Sequence, residues 1–107
     1  MTATLELDGL FAALADATRR DIVLRLGAGP ATVSELAAPY AMSLQAVSLH
    51  LKVLERSGLV ERSREGKTRP CRLAPAALEA AAGWIEQSRK TWSDRIDRLE
   101  AHLAEHP

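Results

Sequence analysis

The chain has 107 residues, which leaves room for one hydrophobic core, and its 47% hydrophobic and 26% charged residues are typical of a folded domain. We therefore expect a single domain over residues 1–107. The single cysteine excludes an internal disulfide, and no stretch resembles a signal peptide or a membrane span. We expect a cytoplasmic protein.

The formal net charge of zero is an average over three unequal segments. Residues 1–42 hold three basic and five acidic side chains, residues 43–72 hold seven and three, and residues 76–107 hold four and six. Clustered Lys and Arg supply the phosphate contacts of nucleic-acid-binding proteins. The middle segment is therefore the candidate binding region, and acidic scaffold flanks it.

Three helices are predicted in the first forty residues. A first amphipathic helix over residues 5–15 is indicated by four apolar residues at helical spacing: Leu7, Leu10, Phe11 and Leu14. Asp16 is the expected N-cap of a second helix, which ends at Gly27. Thr32 and Glu35 form the pattern of a capping box and predict the start of a short third helix.

A fourth helix is predicted from its cap, its apolar spacing and its end. Ser43 is the expected N-cap, and Gly58 follows the last apolar turn. Between them, Val47, Leu51 and Leu54 recur at i, i+4 and i+7. Two short helices joined by a tight connection indicate a helix-turn-helix, whose second helix enters a DNA major groove.

After the fourth helix the apolar period changes from helical to two. The alternation from Leu59 onward predicts a strand, and Glu65-Gly66-Lys67 is the expected turn. A returning strand over Thr68–Leu73 completes a hairpin, the wing. Pro70 has no N–H to donate, so we expect the returning strand to be an edge strand.

A long last helix is predicted to start at Pro75 and to reach about residue 105. Its apolar residues, spaced by threes and fours, are Leu78, Ala82, Ile85, Trp92, Ile96, Leu99 and Leu103. At 1.5 Å per residue such a helix spans about 45 Å, which is longer than so small a core can cover. We therefore expect its far half to pack on a second copy of the chain.

Three runs of the sequence, Leu14–Arg20, Val33–Ala37 and Ala46–Val60, closely resemble the ArsR/SmtB family of winged-helix regulators. The most specific part is Ala-Val-Ser-x-His-Leu-x-x-Leu, followed by Gly-Leu-Val. The resemblance implies a mainly α fold with a small β-hairpin: a winged helix-turn-helix of about five helices and a two-stranded wing. It also implies a homodimer, formed through the first and last helices, that represses by binding an inverted-repeat operator and leaves it when an effector binds.

The predicted DNA contacts come from the recognition helix and the wing. On the recognition helix, the face left exposed after burial of the apolar stripe holds Ser43, Gln45, Ser48, Leu49 and Lys52. Polar side chains there can bond base edges or phosphates, and Leu49 can touch a thymine methyl, although many family members carry a polar residue at its position. The wing cations, expected along the DNA backbone or in the minor groove, are Arg62, Arg64, Lys67, Arg69 and Arg72.

The predicted dimer interface joins apolar residues of the first and last helices: Leu7, Leu10, Phe11, Ile85, Trp92, Ile96, Leu99 and Leu103. Trp84 and Trp92 are large apolar side chains at helical spacing, so we expect them in the protomer core or in the dimer seam. An effector pocket near them is the alternative.

A metal site of the types known in the family is not expected. His102 and Glu105 could share a helix face, but the positions of the companion Asp-x-His half are occupied by Arg89 and Thr91. The third helix also lacks the cysteine pair of thiolate sensors. We expect Cys71 to be a buried, inert thiol, and we expect no metal and no cofactor.

Other functions remain open from the residues alone. A catalytic role lacks support, since no phosphate-binding Gly-rich loop or nucleophile-and-base motif is present. A winged helix that binds a protein partner is the main alternative, and Leu44 and Leu49 favour it. A metal- or redox-responsive repressor of the same family is the other. The basic middle segment favours double-stranded DNA as the partner.

Overall fold

The computed structural model describes residues 6–64 and 66–106. Within these ranges the chain forms five helices and a two-stranded hairpin: α1 (Leu7–Ala13), α2 (Ala17–Leu26), α3 (Val33–Ala37), α4 (Leu44–Ser57), β1 (Val60–Arg62), β2 (Cys71–Leu73) and α5 (Pro75–Glu105). The predicted fold class is confirmed. Leu5 of the predicted first helix and Glu65 of the predicted turn lie outside the described residues. No helix in the described ranges is long and apolar enough to cross a membrane.

The predicted N-caps are confirmed at three helices. The side chains of Asp16 and Ser43 each accept a hydrogen bond of 3.1 Å from the backbone N–H three residues ahead. Thr32 does the same for Glu35, whose carboxylate accepts from the Thr32 N–H at 2.8 Å and completes the capping box. Each bond satisfies a helix-end donor that has no partner within its own helix.

The two predicted glycine stops differ in conformation. Gly58 ends α4 with a φ of 87°, the left-handed conformation that glycine adopts without a Cβ penalty. Gly27 follows α2 as predicted, but its φ of −62° is helical, so α2 ends without a left-handed residue.

The core lies where α1 to α4 meet the hairpin. Its fully buried side chains include Leu10, Ile22, Leu36, Val47, Leu51, Leu54, Leu59 and Cys71. The apolar stripe predicted for α4 supplies three of these, and the predicted burial of the single cysteine is confirmed. From α5, only the small side chains Ala77 and Ala81 are buried in this core.

The hairpin is antiparallel, with Glu61 opposite Arg72. On the other side of β2, Ala31 and Cys71 exchange backbone hydrogen bonds of 3.0 and 2.8 Å. The prediction that the returning strand is an edge strand is therefore wrong at Cys71, because the loop before α3 pairs with it. A distant loop of this kind leaves no local signal in the sequence.

The returning strand is also shorter than the predicted Thr68–Leu73. Thr68 lies in the turn, and Arg69 has a φ of 43°, which breaks the extended conformation. Pro70 precedes β2, and its carbonyl still accepts from the Ser63 N–H at 2.8 Å. Gly66 takes the positive φ expected of it, at 72°.

Helix α5 begins at Pro75 as predicted and has 31 residues. Beyond Ala81 none of its described side chains is buried. Trp84 contacts Phe11 edge to face, with ring centroids 5.5 Å apart, and this pair ties α5 to α1. The rest of the helix extends away from the body, so the molecule measures 66 by 36 by 21 Å along its principal axes.

Candidate nucleic-acid interface

One face of α4 is held by the core, and the opposite face points into solvent. Val47, Leu51 and Leu54 are fully buried. At 100° per residue, the positions farthest from this stripe recur at i, i+4, i+7 and i+11, and all four are exposed: Gln45, Leu49, Lys52 and Arg56. Because the core fixes the rotation of the helix, these four side chains are presented together.

Arg56 was not among the predicted DNA contacts. It continues the series begun by Gln45, Leu49 and Lys52, so the helical spacing alone could have identified it. It places a second cation on the outward face of α4, one turn beyond Lys52.

The two predicted serines lie at the rim of this face. Ser48 is half-buried and lines a shallow groove between α3 and α4 together with Val33, Leu44 and Gln45. Ser43 is exposed, but its hydroxyl oxygen already accepts the cap hydrogen bond. A second contact of Ser43 therefore has to use its O–H as donor or its remaining lone pair.

The wing presents exposed cations next to this helix. Arg64, Lys67 and Arg69 are exposed, and none of them forms an ion pair within residues 6–64 and 66–106. Arg64 and Arg69 line a broad groove along the wing. Arg72 is engaged instead by Glu61 across the hairpin, with two nitrogen-to-oxygen distances of 3.2 Å.

Arg62 lines the same groove as Arg64 and Arg69 but is less exposed than they are. Its side chain is only 22% exposed, and its Nη2 atom is 3.6 Å from Glu55 of α4. The prediction of Arg62 as a phosphate contact is therefore revised, since its charge is already directed at a carboxylate and its position joins the wing to α4. Burial raises the pKa of the neighbouring Cys71 thiol, although the Arg62 charge opposes this, so the thiol stays protonated at neutral pH.

Arg19 fastens the recognition helix to the start of the chain. Its Nε and Nη2 atoms donate to the carbonyls of Ala13 and Ala12 at the end of α1, at 2.6 and 3.2 Å. Its Nη1 atom lies 3.3 Å from Nδ1 of His50 on α4. One guanidinium thus joins α1, α2 and α4.

The same cluster contains the cap of α2. The Arg19 backbone N–H, donated to the Asp16 carboxylate, holds the pKa of that carboxyl below its ordinary value, and the nearby His50 and Arg19 side chains act in the same direction. The Asp16 Oδ2 and His50 Nδ1 atoms are 3.8 Å apart. A charged Asp16 therefore belongs to the folded state at neutral pH.

A second arginine supports the first helix of the helix-turn-helix. Arg25 donates to the carbonyls of Leu36 and Glu35, at 2.7 and 3.0 Å, and so satisfies the end of α3. Its guanidinium also lies over the Tyr40 ring, 5.4 Å from the centroid, while the Tyr40 hydroxyl donates to Asp21. Burial, with the hydrogen bond to Asp21, raises the pKa of that phenol.

The predicted dimer residues fall into two groups. Five are about half exposed along one stripe of α5: Ile85, Trp92, Ile96, Leu99 and Leu103. Leu7 and Phe11 are partly buried against the core. Leu10 is fully buried inside the protomer, so the prediction that it lies in the interface is wrong. Trp84 and Trp92 are 46% and 56% exposed, and the alternative of a core position does not hold for Trp92.

The described C-terminal end of α5 has no cluster of three metal-ligand side chains. His102 and His106 stack on each other with centroids 4.4 Å apart. Within the described residues, no three His, Cys, Asp or Glu side chains are placed to share an ion. The expectation that metals do not act on this protein stays a prediction.

Comparison with known proteins relates the chain to helix-turn-helix regulators. A family model described as a helix-turn-helix domain matches residues 14–63. An HTH-type transcriptional regulator of Mycobacterium tuberculosis, Rv2034, is 48% identical over 73 residues, which are 68% of each chain. The arsenical resistance operon repressor of Escherichia coli is 33% identical over 96 residues, covering 89% of this chain and 82% of that protein.

Solved structures agree with the fold. An ArsR-like transcriptional regulator from a Rhodococcus species superposes with a TM-score of 0.76 at 34% identity, over 90% of this chain and 91% of that one. The homodimeric winged helix-turn-helix DNA-binding domain of a possible ArsR-family regulator from Mycobacterium bovis gives 0.61 at 27% identity, over 85% and 82%.

Proposed function

Since this chain belongs to the ArsR family of winged helix-turn-helix transcriptional regulators, we propose that it is a homodimeric repressor that binds an inverted-repeat operator in double-stranded DNA. The observation that carries the proposal is the exposed face of α4 beside a wing on which three exposed cations, Arg64, Lys67 and Arg69, have no ion-pair partner among the described residues. The side chains on the face of α4 and the cations of the wing have different chemistry, and we assign them different roles in binding.

The face of α4 is assigned to base recognition. Gln45 has a side-chain amide whose geometry allows it to bond N6 and N7 of adenine. Ser48 lies close to it, at the rim of the groove between α3 and α4. Lys52 and Arg56 lie farther along the same face and reach toward phosphates on either side of the groove. Burial of the opposite face in the core means that docking needs no rearrangement of α4.

The wing is assigned to the phosphate backbone. Arg64, Lys67 and Arg69 are exposed cations on a short hairpin, and no described carboxylate has to be displaced before they bind phosphate. Arg62 and Arg72 are each paired with a glutamate, so we assign no phosphate contact to them. Backbone neutralisation by such cations supplies affinity without sequence selectivity and makes that affinity depend on salt.

Homodimerisation through α5 and α1 completes the proposal. The stripe of half-exposed Ile85, Trp92, Ile96, Leu99 and Leu103 runs along the part of α5 that the body does not cover. Large apolar patches of this kind mark interaction surfaces in soluble proteins. The homodimeric Mycobacterium bovis domain supports a second copy as the occupant. A two-fold dimer sets its recognition helices about 34 Å apart, one turn of DNA.

The test separates the two sets of residues. An operator is first selected with the full chain from a pool of random duplexes. On it, Gln45→Ala or Ser48→Ala should cost about 1–3 kcal/mol in binding and little on random DNA. Arg64→Ala or Lys67→Ala should weaken both duplexes alike and lower the slope of log K against log salt by about one for each lost phosphate, doubled in a dimer.

Arg72→Ala is the matched control, because Arg72 is a wing arginine already paired with Glu61. It should change the salt slope less than Arg64→Ala does. Wing variants that keep the full affinity and the full salt slope would contradict the proposal, and so would a selection that yields no preferred sequence.

A further inference from the structure

The outward face of α4 is not uniformly polar. Leu49 is 62% exposed at the centre of this face, between Gln45 on the preceding turn and Lys52 on the next. Val53, one turn on from Leu49, is 36% exposed on the adjoining side. Val53 lines a shallow groove with Ala12 and Ala13 of α1, so Leu49 is the apolar strip on the surface that we assign to base recognition.

An apolar strip in a DNA major groove has one natural counterpart. Each base pair presents hydrogen-bonding groups there, and the only apolar group is the C5 methyl of thymine. Gln45 and Leu49 are separated by about 6 Å along the helix axis, at 1.5 Å per residue, which is about two base-pair steps at 3.4 Å each. An amide that bonds adenine and a leucine that meets thymine methyls can thus act on two A·T pairs about two steps apart in one half-site.

We propose that Leu49 is a specificity-determining residue that recognises thymine methyl groups in each operator half-site. This inference rests on the proposed function and deepens it, since it names the chemical group that the recognition helix reads. It also gives a reason for a leucine that is 62% exposed in the protomer: the exposed part of its apolar surface leaves water only on the correct DNA.

The expected size of the effect follows from the removal of one methyl group. Burial of a single methylene-sized group contributes about 0.8 kcal/mol, which is about fourfold in affinity for one half-site and about 15-fold for both. Replacement of thymine by deoxyuridine removes this methyl and leaves every hydrogen-bonding group of the base in place.

The experiment uses the full chain and an operator selected from random duplexes. Thymines in the half-sites are replaced one at a time by deoxyuridine, and dissociation constants are measured by fluorescence anisotropy. Wild type should lose about fourfold at the methyl that Leu49 meets, and about 15-fold when both half-sites are changed. Leu49→Ala should bind the thymine and uracil duplexes equally, whereas Leu49→Met should keep most of the discrimination.

Leu24→Ala is the matched control, because Leu24 is a 75% exposed leucine on α2, away from this face. It should discriminate between thymine and uracil as wild type does. A wild-type protein that selects a preferred operator and binds its uracil forms equally would overturn this inference and leave the proposed function intact. A protein that selects no operator overturns both. Discrimination that survives in Leu49→Ala also overturns it.

Discussion

The body of the domain and the distal half of α5 contain the same kinds of residue at the same helical spacing, yet their environments are opposite. In the body, Leu51 and Leu54 of α4 are fully buried. On α5, Leu99 and Leu103 are 56% and 58% exposed. A periodic apolar stripe therefore predicts that one face of a helix is buried. Whether that face is buried by its own chain or by another chain depends on which elements pack against it.

Polar contacts differ between the two regions in the same way. In the body, Arg19 reaches carbonyls of the preceding helix α1 and the His50 ring of α4, 31 residues farther along the chain. On α5, Arg89 pairs with Glu86 three residues before it, and both side chains are about 60% exposed. The body is held by contacts between elements, whereas this polar contact of distal α5 is local.

The largest effect is expected from a matched pair of leucine truncations. Leu51→Ala removes a fully buried side chain and should lower the free energy of unfolding by about 2–5 kcal/mol at every protein concentration. Leu99→Ala should act through the dimer instead, and so reduce the concentration dependence of the unfolding midpoint. Urea unfolding at two protein concentrations measures both. Equal losses that are independent of concentration would remove the distinction between the two regions.

A smaller effect, on association alone, is expected from Trp92→Glu. A carboxylate without a partner is costly to bury, so this change should weaken the dimer by at least about 100-fold while leaving the helical circular dichroism of the body unchanged. Sedimentation at micromolar concentration should then give the 11.6 kDa protomer. Gln87→Glu adds the same charge on the polar side of α5 and serves as control. A wild-type chain that sediments only as a protomer would refute the dimer.

The smallest effect is a difference in acid sensitivity between the two regions. The lowered pKa values of Asp16 and Glu86 mean that each carboxylate stabilises the fold above its ordinary pKa, and that this contribution is lost as the pH falls through the lowered value. Asp16→Asn and Glu86→Gln should therefore each lose less stability than wild type below about pH 4.

Salt distinguishes these two carboxylates. Glu86 owes its lowered pKa to the exposed Arg89 guanidinium, so 1 M NaCl should remove the difference between Glu86→Gln and wild type. Asp16 owes most of its shift to the Arg19 backbone N–H, and its difference should persist. Thermal melts across the pH range at two salt concentrations test this. Identical salt responses would show that the lowered pKa values of Asp16 and Glu86 do not have different physical causes.

Sequence reasoning failed where a position depended on a distant neighbour. Leu10 was assigned to the interface because it shares a stripe with Leu7, but it lies deeper in the protomer core. Arg62 alternates with other wing cations, yet its charge is already paired with Glu55 of α4.

The sequence by itself determined the helix starts, the hairpin, the long last helix and the family, because capping, turn formation and apolar periodicity act over a few residues. Asp16, Thr32, Ser43 and Gly58 each act on a backbone group at most four residues away. The tertiary structure alone decided that Ala31 pairs with β2, that Arg19 joins three helices, and that Arg62 pairs with Glu55. Those outcomes depend on which elements pack against each other, and no local free-energy term specifies that packing.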